Sequence, residues 1–292
     1  MNRRNFLAAT AATTLSPKLF ADNHSEKPLF EISLAQWSNH RMLKGGQLNN
    51  LDWPKYAKQT YDIHALEYVS QFFKDKAQDA PYLAELNKRV GDLNMINLLV
   101  MIDGEGHLGA DTEAARDKTV ENHKKWVEAA KTLGCHSIRV NAYSKSEANE
   151  AAKQVTDGLF KLASFARDFD INVIVENHGG HSSNGKWLAG VLSAVNLPNC
   201  GSLPDFGNFH DYDRYQGIKD LMPFAKGVSA KSHDFDEQGN ETKTNFSKAM
   251  KLVLAAGYQG YVGVEYEGKI LSEDDGVKAT KTLLEKVRQQ LS

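Results

Sequence analysis

The chain has 292 residues, 41% hydrophobic and 25% charged, with 35 Lys and Arg against 37 Asp and Glu for a formal net charge of −2. That is ordinary globular composition, and without a basic block it lacks the patch or stripe that nucleic-acid binding leaves. Cys135 and Cys200, the two cysteines, form no C-x-x-C pair and no disulfide framework, and each reads as a packing residue.

In chain order, the first feature is MNRRNFLAATAATTLSPKLFA, with Arg3 and Arg4, then Phe6 and Leu7, then small residues to Ala21. Basic, apolar and small-residue zones in that order read as an export signal, and the Arg-Arg-x-Phe-Leu run resembles the twin-arginine type. Residues 1–21 are therefore expected to be a twin-arginine-type signal and the location periplasmic, an ordinary helical N-terminus being the other reading. The apolar part is too short and too rich in Ala and Thr to anchor in a bilayer, so no stable membrane insertion is expected.

From residue 28 to 292 a single domain is expected. Its strand candidates are 30–37, 64–70, 95–103, 136–143, 172–178, 201–209, 227–235 and 261–267, all apolar or β-branched runs. Helical patterns lie between them. Asp111 caps one that Gly134 stops, Ser146 opens another with Val155, Leu159, Leu162 and Ala166 at helical spacing, and Asn245 caps FSKAMKLVLAA before Gly257. Strand followed by helix throughout predicts an α/β fold, a (β/α)8 TIM barrel, which takes about 250 residues. A doubly wound open sheet is the rival, but the segment after the first strand, WSNHRMLKGG, holds no G-x-G-x-x-G.

Barrel active sites lie at the C-terminal ends of the strands, so polar residues late in a strand are the candidates. After strand 3, MIDGEGHLG offers Glu105 and His107 as substrate contacts or as a plain surface turn. Strand 5 ends IVENHGG, where Glu176 and His178 share a face and Gly179 and Gly180 permit a sharp turn. A carboxylate directly after such an apolar run is costly to bury without a cation or a hydrogen-bonded partner; the alternative is a side chain turned outward. Strand 6 ends SLPDFGNFH, with Asp205, Asn208 and His210. Strand 7, GVSAKSHDF, puts Ser229, Lys231 and His233 on one face, and strand 8, YVGVEYEG, carries Glu265 with Glu267 further out, where solvated loop residues are common. A lone His is usually only a satisfied polar residue, but beside Glu176, Asp205 and Glu265 His233 becomes a ligand candidate. Carboxylates plus an imidazole, without thiolate, suit one divalent ion, Mn2+, Mg2+, Co2+ or Zn2+.

IVENHGG, LPDFGNF and GVEYEG resemble the sugar phosphate isomerase/epimerase family of xylose isomerase-like barrels, in the endonuclease IV-like superfamily, over most of the chain from about residue 30. The resemblance implies one metal held after strands 5, 6, 7 and 8 by Glu176, Asp205, His233 and Glu265, with Glu176 and Glu265 also acting as acid and base. The chain departs from the pattern in three places. Asn208 stands where several members have His, and Gly239 and Asn240 lie where some epimerases have Arg. The alignment of a strand-7 His before Leu-Lys-Asp puts Ser229 at that position, leaving His233 or a water as fourth ligand.

The expected activity is proton transfer through an enediolate on a non-phosphorylated keto- or aldo-sugar, with His178, Asn208, Lys231 and His107 as substrate-binding residues. A keto-sugar or keto-glycoside lyase or hydratase using the same metal site and a non-catalytic sugar-binding barrel are the alternatives. Abasic-site endonuclease chemistry lacks its extra histidines and basic face, and a two-carboxylate glycosidase lacks an acid after strand 4, which ends VNAY. The expected partner is a small sugar, not nucleic acid; a homo-oligomer stays open.

Overall fold

The computed structural model describes residues 28–292, so the expected signal over 1–21 lies outside the described residues. Short runs, buried along most of their length, form β1 (Glu31–Ala35), β2 (Ala65–Val69), β3 (Ile96–Met101), β4 (Ser137–Asn141), β5 (Asn172–Glu176), β6 (Cys200–Leu203), β7 (Val228–Ser232) and β8 (Tyr261–Tyr266). Burial on both faces is what a parallel sheet wrapped in helices demands. The strands pair in parallel in the order β6-β5-β4-β3-β2-β1-β8-β7. The remaining seam between β6 and β7 is sealed by Ser229 N–H donating to the Pro204 carbonyl (2.9 Å) and Phe206 N–H donating to the Ser229 carbonyl (3.0 Å). The fold is the expected (β/α)8 barrel.

Around it run α1 (His40–Lys44), α2 (Trp53–Tyr61), α3 (Ala80–Asp92), α4 (Glu113–Thr132), α5 (Ala148–Arg167), α6 (Gly185–Val195), α7 (Arg214–Leu221), α8 (Phe246–Ala255) and α9 (Glu273–Leu291). Asn245 caps α8 by accepting from Lys248 N–H, and Gly257 follows it at φ +80°, a left-handed position that glycine takes without strain. Two caps differ from expectation. Thr112, not Asp111, accepts from Ala115 N–H at the start of α4, and α5 begins at Ala148 with Glu147, not Ser146, at its N-cap.

The strands end earlier than their polar-tailed sequence runs. Pro204, which has no N–H to give a ladder, closes β6 before Asp205, and β7 stops at Ser232. The main core fills the layer between strands and helices, with Trp126, Leu159, Phe206 and Val264 among its fully buried members. A small second cluster, Ala35, Val69, Leu99, Met101, Ile174 and Leu203, plugs the barrel interior. Trp37 and Phe72, just past β1 and β2, pack against that plug. Above it the interior turns polar.

Candidate active site

Strand register brings distant residues to one level of the barrel. Glu176 pairs with Leu203, and Asp205 lies two residues further on; Asp205 bridges Ser229, and Lys231 pairs with Glu265. Steps of two keep a side chain on the same face of a strand, so these side chains all enter the barrel mouth. One carboxylate oxygen from each of Glu176, Asp205 and Glu265 lies within 4.8 Å of the others, and all three residues are buried.

Each carboxylate is held from several sides. Asn208 Nδ2 donates to Glu176 Oε1 (3.0 Å), and Arg139 Nε, from β4, lies 2.9 Å from Glu176 Oε2. That last contact is an ion pair without an aligned hydrogen bond, since neither atom has a hydrogen-bond partner among the described residues. Gly207 N–H donates to Asp205 Oδ1 (2.7 Å). The Ser229 hydroxyl lies 2.9 Å from Asp205 Oδ2 and 3.0 Å from Glu265 Oε2, and donates its single proton to one at a time. Lys231 Nζ, on a side chain 2% exposed, stands 3.1 Å from Glu265 Oε1, 3.2 Å from Glu267 Oε2 and 3.6 Å from Asp205 Oδ2.

Burial pushes the Asp205 and Glu265 carboxyls up, against the opposing pull of Lys231. Glu267 is less deeply set, and Lys231 together with the Trp37 indole N–H outweighs its burial and holds it below its ordinary value. Burial would likewise raise Asp103, but Arg139 at 3.0 Å, with Gln71 and Asn141, brings it down to about 2. Beneath the site, burial lifts Glu67 to about 7; the Ser33 hydroxyl donates to its Oε1 (2.5 Å). The Gly263 Cα leaves the room for that carboxylate, since a Cβ there would stand 2.7 Å from Glu67 Oε1.

The donor set fits a divalent ion. Asp103, Glu176, Asp205, Glu265 and Glu267 meet two cations, Arg139 and Lys231, with Glu67 beneath them. A surplus of carboxylates, with Asp205 and Glu265 disfavoured as anions by desolvation and by the charge of neighbouring carboxylates, is what a hard cation relieves.

The other sequence candidates fall differently. His233 is not part of the carboxylate group. It comes after the last residue of β7, its backbone N–H turns to Glu241 Oε1 (3.2 Å), and Ser229 occupies the strand-7 place inside the cup. Ser229 and Lys231 share the cup as expected, while His233 stands past the end of β7, near enough to Glu267 and Lys231 to feel their charges. His178 is exposed; its neighbour Asn177 is buried instead and clips β5 to β6 through the Asp205 backbone N–H and carbonyl. His107 is exposed and lies against Tyr143, ring centroids 4.4 Å apart. Glu105 is drawn to α4 by Trp126 Nε1 and Lys125 Nζ, each at 2.8 Å. His210 is exposed at φ +48°. Glu267, expected in solvent, is part of the site.

Sequence reasoning passed over Arg139, Asp103 and Trp37. A charged residue inside SIRVN was the available signal for Arg139, and its parity with Asn141 the confirmation. Trp37 offered none, because its partner Glu267 is 230 residues away.

Residues 56–289 match the sequence profile of the xylose isomerase-like TIM barrel family. Among solved structures, the chain is similar to 3-keto-D-glucoside 4-epimerase YcjR of E. coli, at 18% identity and TM-score 0.65, covering 82% of this chain and 94% of that one. It is similar to a D-psicose 3-epimerase determined in the presence of D-fructose, at 12% identity and TM-score 0.69 over 89% and 99% of the two chains. It is also similar to the IOLI protein with a bound zinc atom, at 14% identity and TM-score 0.70 over 89% and 99%. At such identities the likeness shows the fold. A curated relative, the C-glycoside deglycosidase alpha subunit of Arthrobacter globiformis, is 35% identical over 65 residues, which are 21% of this chain and 18% of that one. The match thus spans under a fifth of that relative's length.

Proposed function

The chain belongs to the xylose isomerase-like TIM barrel family, and from that premise we propose that it is a divalent-metal-dependent enzyme that isomerises or epimerises a non-phosphorylated keto- or aldo-sugar. The observation that carries this reading is the convergence of Glu176, Asp205 and Glu265 in one buried cup. Relatives named as epimerases and as a deglycosidase support an enzymatic role.

Glu176, Asp205 and Glu265, with Ser229 beside them, would hold the ion. A bound divalent ion supplies Lewis acidity that stabilises negative charge developing on a substrate oxygen. The chain's own carboxylates do the proton work. Glu176 and Glu265 leave strands separated around the barrel by β6 and β7, so they approach a sugar from two sides. One takes the proton from a carbon next to the carbonyl, and the electron pair of that C–H bond moves into an enediolate. The other returns a proton to the same or the neighbouring carbon, so nothing is oxidised overall. Arg139 and Asn208 fix the orientation of Glu176, and Ser229 fixes Glu265 against Asp205. Trp37 and Phe72, resting on the apolar plug, offer a wall for the less polar face of a sugar ring.

A lyase acting on a keto-glycoside is the second reading, favoured by the deglycosidase match. The same enediolate then expels a leaving group from the next carbon instead of regaining a proton. We also propose export to the periplasm on the strength of Arg3, Arg4 and the small-residue run after them, which argues against a phosphorylated substrate.

The test is a screen of free ketoses, aldoses and 3-keto-glycosides in deuterated buffer, with EDTA and then Mn2+, Co2+ or Mg2+. Chelation should abolish turnover and metal should restore it, with deuterium entering the recovered sugar beside the carbonyl. Release of an aglycone instead identifies the lyase, and full activity in EDTA refutes the metal mechanism.

A further inference from the structure

Lys231 is an unusual occupant for a cup that takes a metal. Its ammonium is buried and lies within 3.6 Å of two of the three carboxylates that would ligate the ion, and Ser229, two residues earlier on β7, adds only a hydroxyl. Oppositely charged groups at this distance in a buried site interact strongly, and a tethered ammonium is present at a high effective concentration. Its stem runs past Gly207, where a Cβ would meet Lys231 Cγ and Cδ at 2.9 Å. The amino group also has a second partner outside the trio: Glu267 Oε2 at 3.2 Å, on a carboxylate that the Trp37 indole N–H holds from the other side. The ammonium touches Glu265 and Glu267 at once, so it can give up Asp205 and Glu265 without losing its last carboxylate partner.

We propose that Lys231 is a built-in competitor of the metal, its ammonium neutralising the Asp205–Glu265 side of the cup until a divalent ion displaces it onto Glu267. This rests on the metal-dependent reading given above. The exchange gives the cup a weaker hold on metal than its three carboxylates would have alone, and it ties metal entry to the Glu267–Trp37 contact at the barrel mouth.

The test is calorimetric titration of Mn2+ into the full chain after EDTA treatment and desalting, which needs no turnover. Lys231→Met should bind Mn2+ at least tenfold more tightly than the parent. Glu267→Gln should weaken Mn2+ binding in the parent and have a clearly smaller effect in the Lys231→Met background. Mn2+ binding of equal strength with and without the Lys231 ammonium overturns the inference and leaves the metal reading standing. No binding by any variant that circular dichroism shows to be folded overturns both. Lys231→Gln carries the same expectation if Lys231→Met does not fold.

Discussion

Glu67 lies below the Glu176–Asp205–Glu265 cup with one oxygen, Oε2, without a hydrogen-bond partner among the described residues. Burial, added to by the charges of Glu265 and Glu176, raises its carboxyl from the ordinary 4.5 to about 7. Between those values the folded protein keeps a proton that the unfolded chain has released, so stability falls as pH rises through that window and levels off above it. Glu67→Gln keeps an acceptor for Ser33 and removes the titration. In EDTA the variant should therefore be more stable than the parent at pH 8, by ~3 kcal/mol at about 1.4 kcal/mol per unit, and the two should converge toward pH 4.5. Urea denaturation across that range checks it, and parallel curves would refute it. Glu176→Gln keeps the size but sets an amide NH2 against either Asn208 or Arg139, and it cannot exchange a carbon-bound proton. Turnover should fall roughly 10²–10⁴-fold while sugar binding, followed by calorimetry, persists; a binding-only barrel would have no turnover to lose.

The α5 helix presses on the loop that carries His107, and Gly158 is the point of contact: a Cβ there would overlap the Leu108 carbonyl. Helix propensity alone favours Gly158→Ala by about 1 kcal/mol. The overlap is with backbone, which cannot swing aside, and overpacking of this kind costs about 1–3 kcal/mol. Tertiary packing should win, so Gly158→Ala should lower the melting temperature; a rise would mean that the loop yields. The same scale explains where sequence patterns misplaced ends. The run SLPDFGNFH reads as one strand, yet β6 ends at Leu203, and past Pro204 the pairing is reduced to the bridge between Asp205 and Ser229. The run GVSAKSHDF carries its alternation past Ser232, but the chain has left the sheet by His233, whose backbone N–H is engaged by Glu241. Alternation gives the face of a residue only while the strand lasts.

At the scale of the molecule, the last helix locks the ring. From α9, Asp274 accepts from Tyr56 Oη (2.8 Å) and Tyr61 Oη (2.6 Å) on α2, and Glu273 accepts from the Arg41 and Met42 backbone N–H groups at 2.7 and 3.0 Å. The first and final β/α units are thus joined by buried and half-buried polar contacts, and the barrel sheet closes between β1 and β8 at the same place. Asp274→Ala leaves two tyrosine hydroxyls without their acceptor, which costs about 1–3 kcal/mol where they are buried. Thermal unfolding should shift down by roughly 2–4 °C per kcal/mol in a domain of this size; an unchanged midpoint would show that water replaces the carboxylate.

The sequence alone determined the barrel and its three convergent carboxylates. Alternating apolar strands and helical repeats are short-range patterns, and Glu176, Asp205 and Glu265 stood out because each interrupts or ends an apolar strand where burial of a charge is expensive. What it left undecided were the partners of those carboxylates. Arg139 meeting Glu176, Lys231 entering the cup, Ser229 in place of an imidazole, and Trp37 meeting Glu267 all depend on the register between strands and on where each strand stops. Those are settled by the closing of the ring, because a contact between residues far apart in the chain exists only once the strands between them are in place.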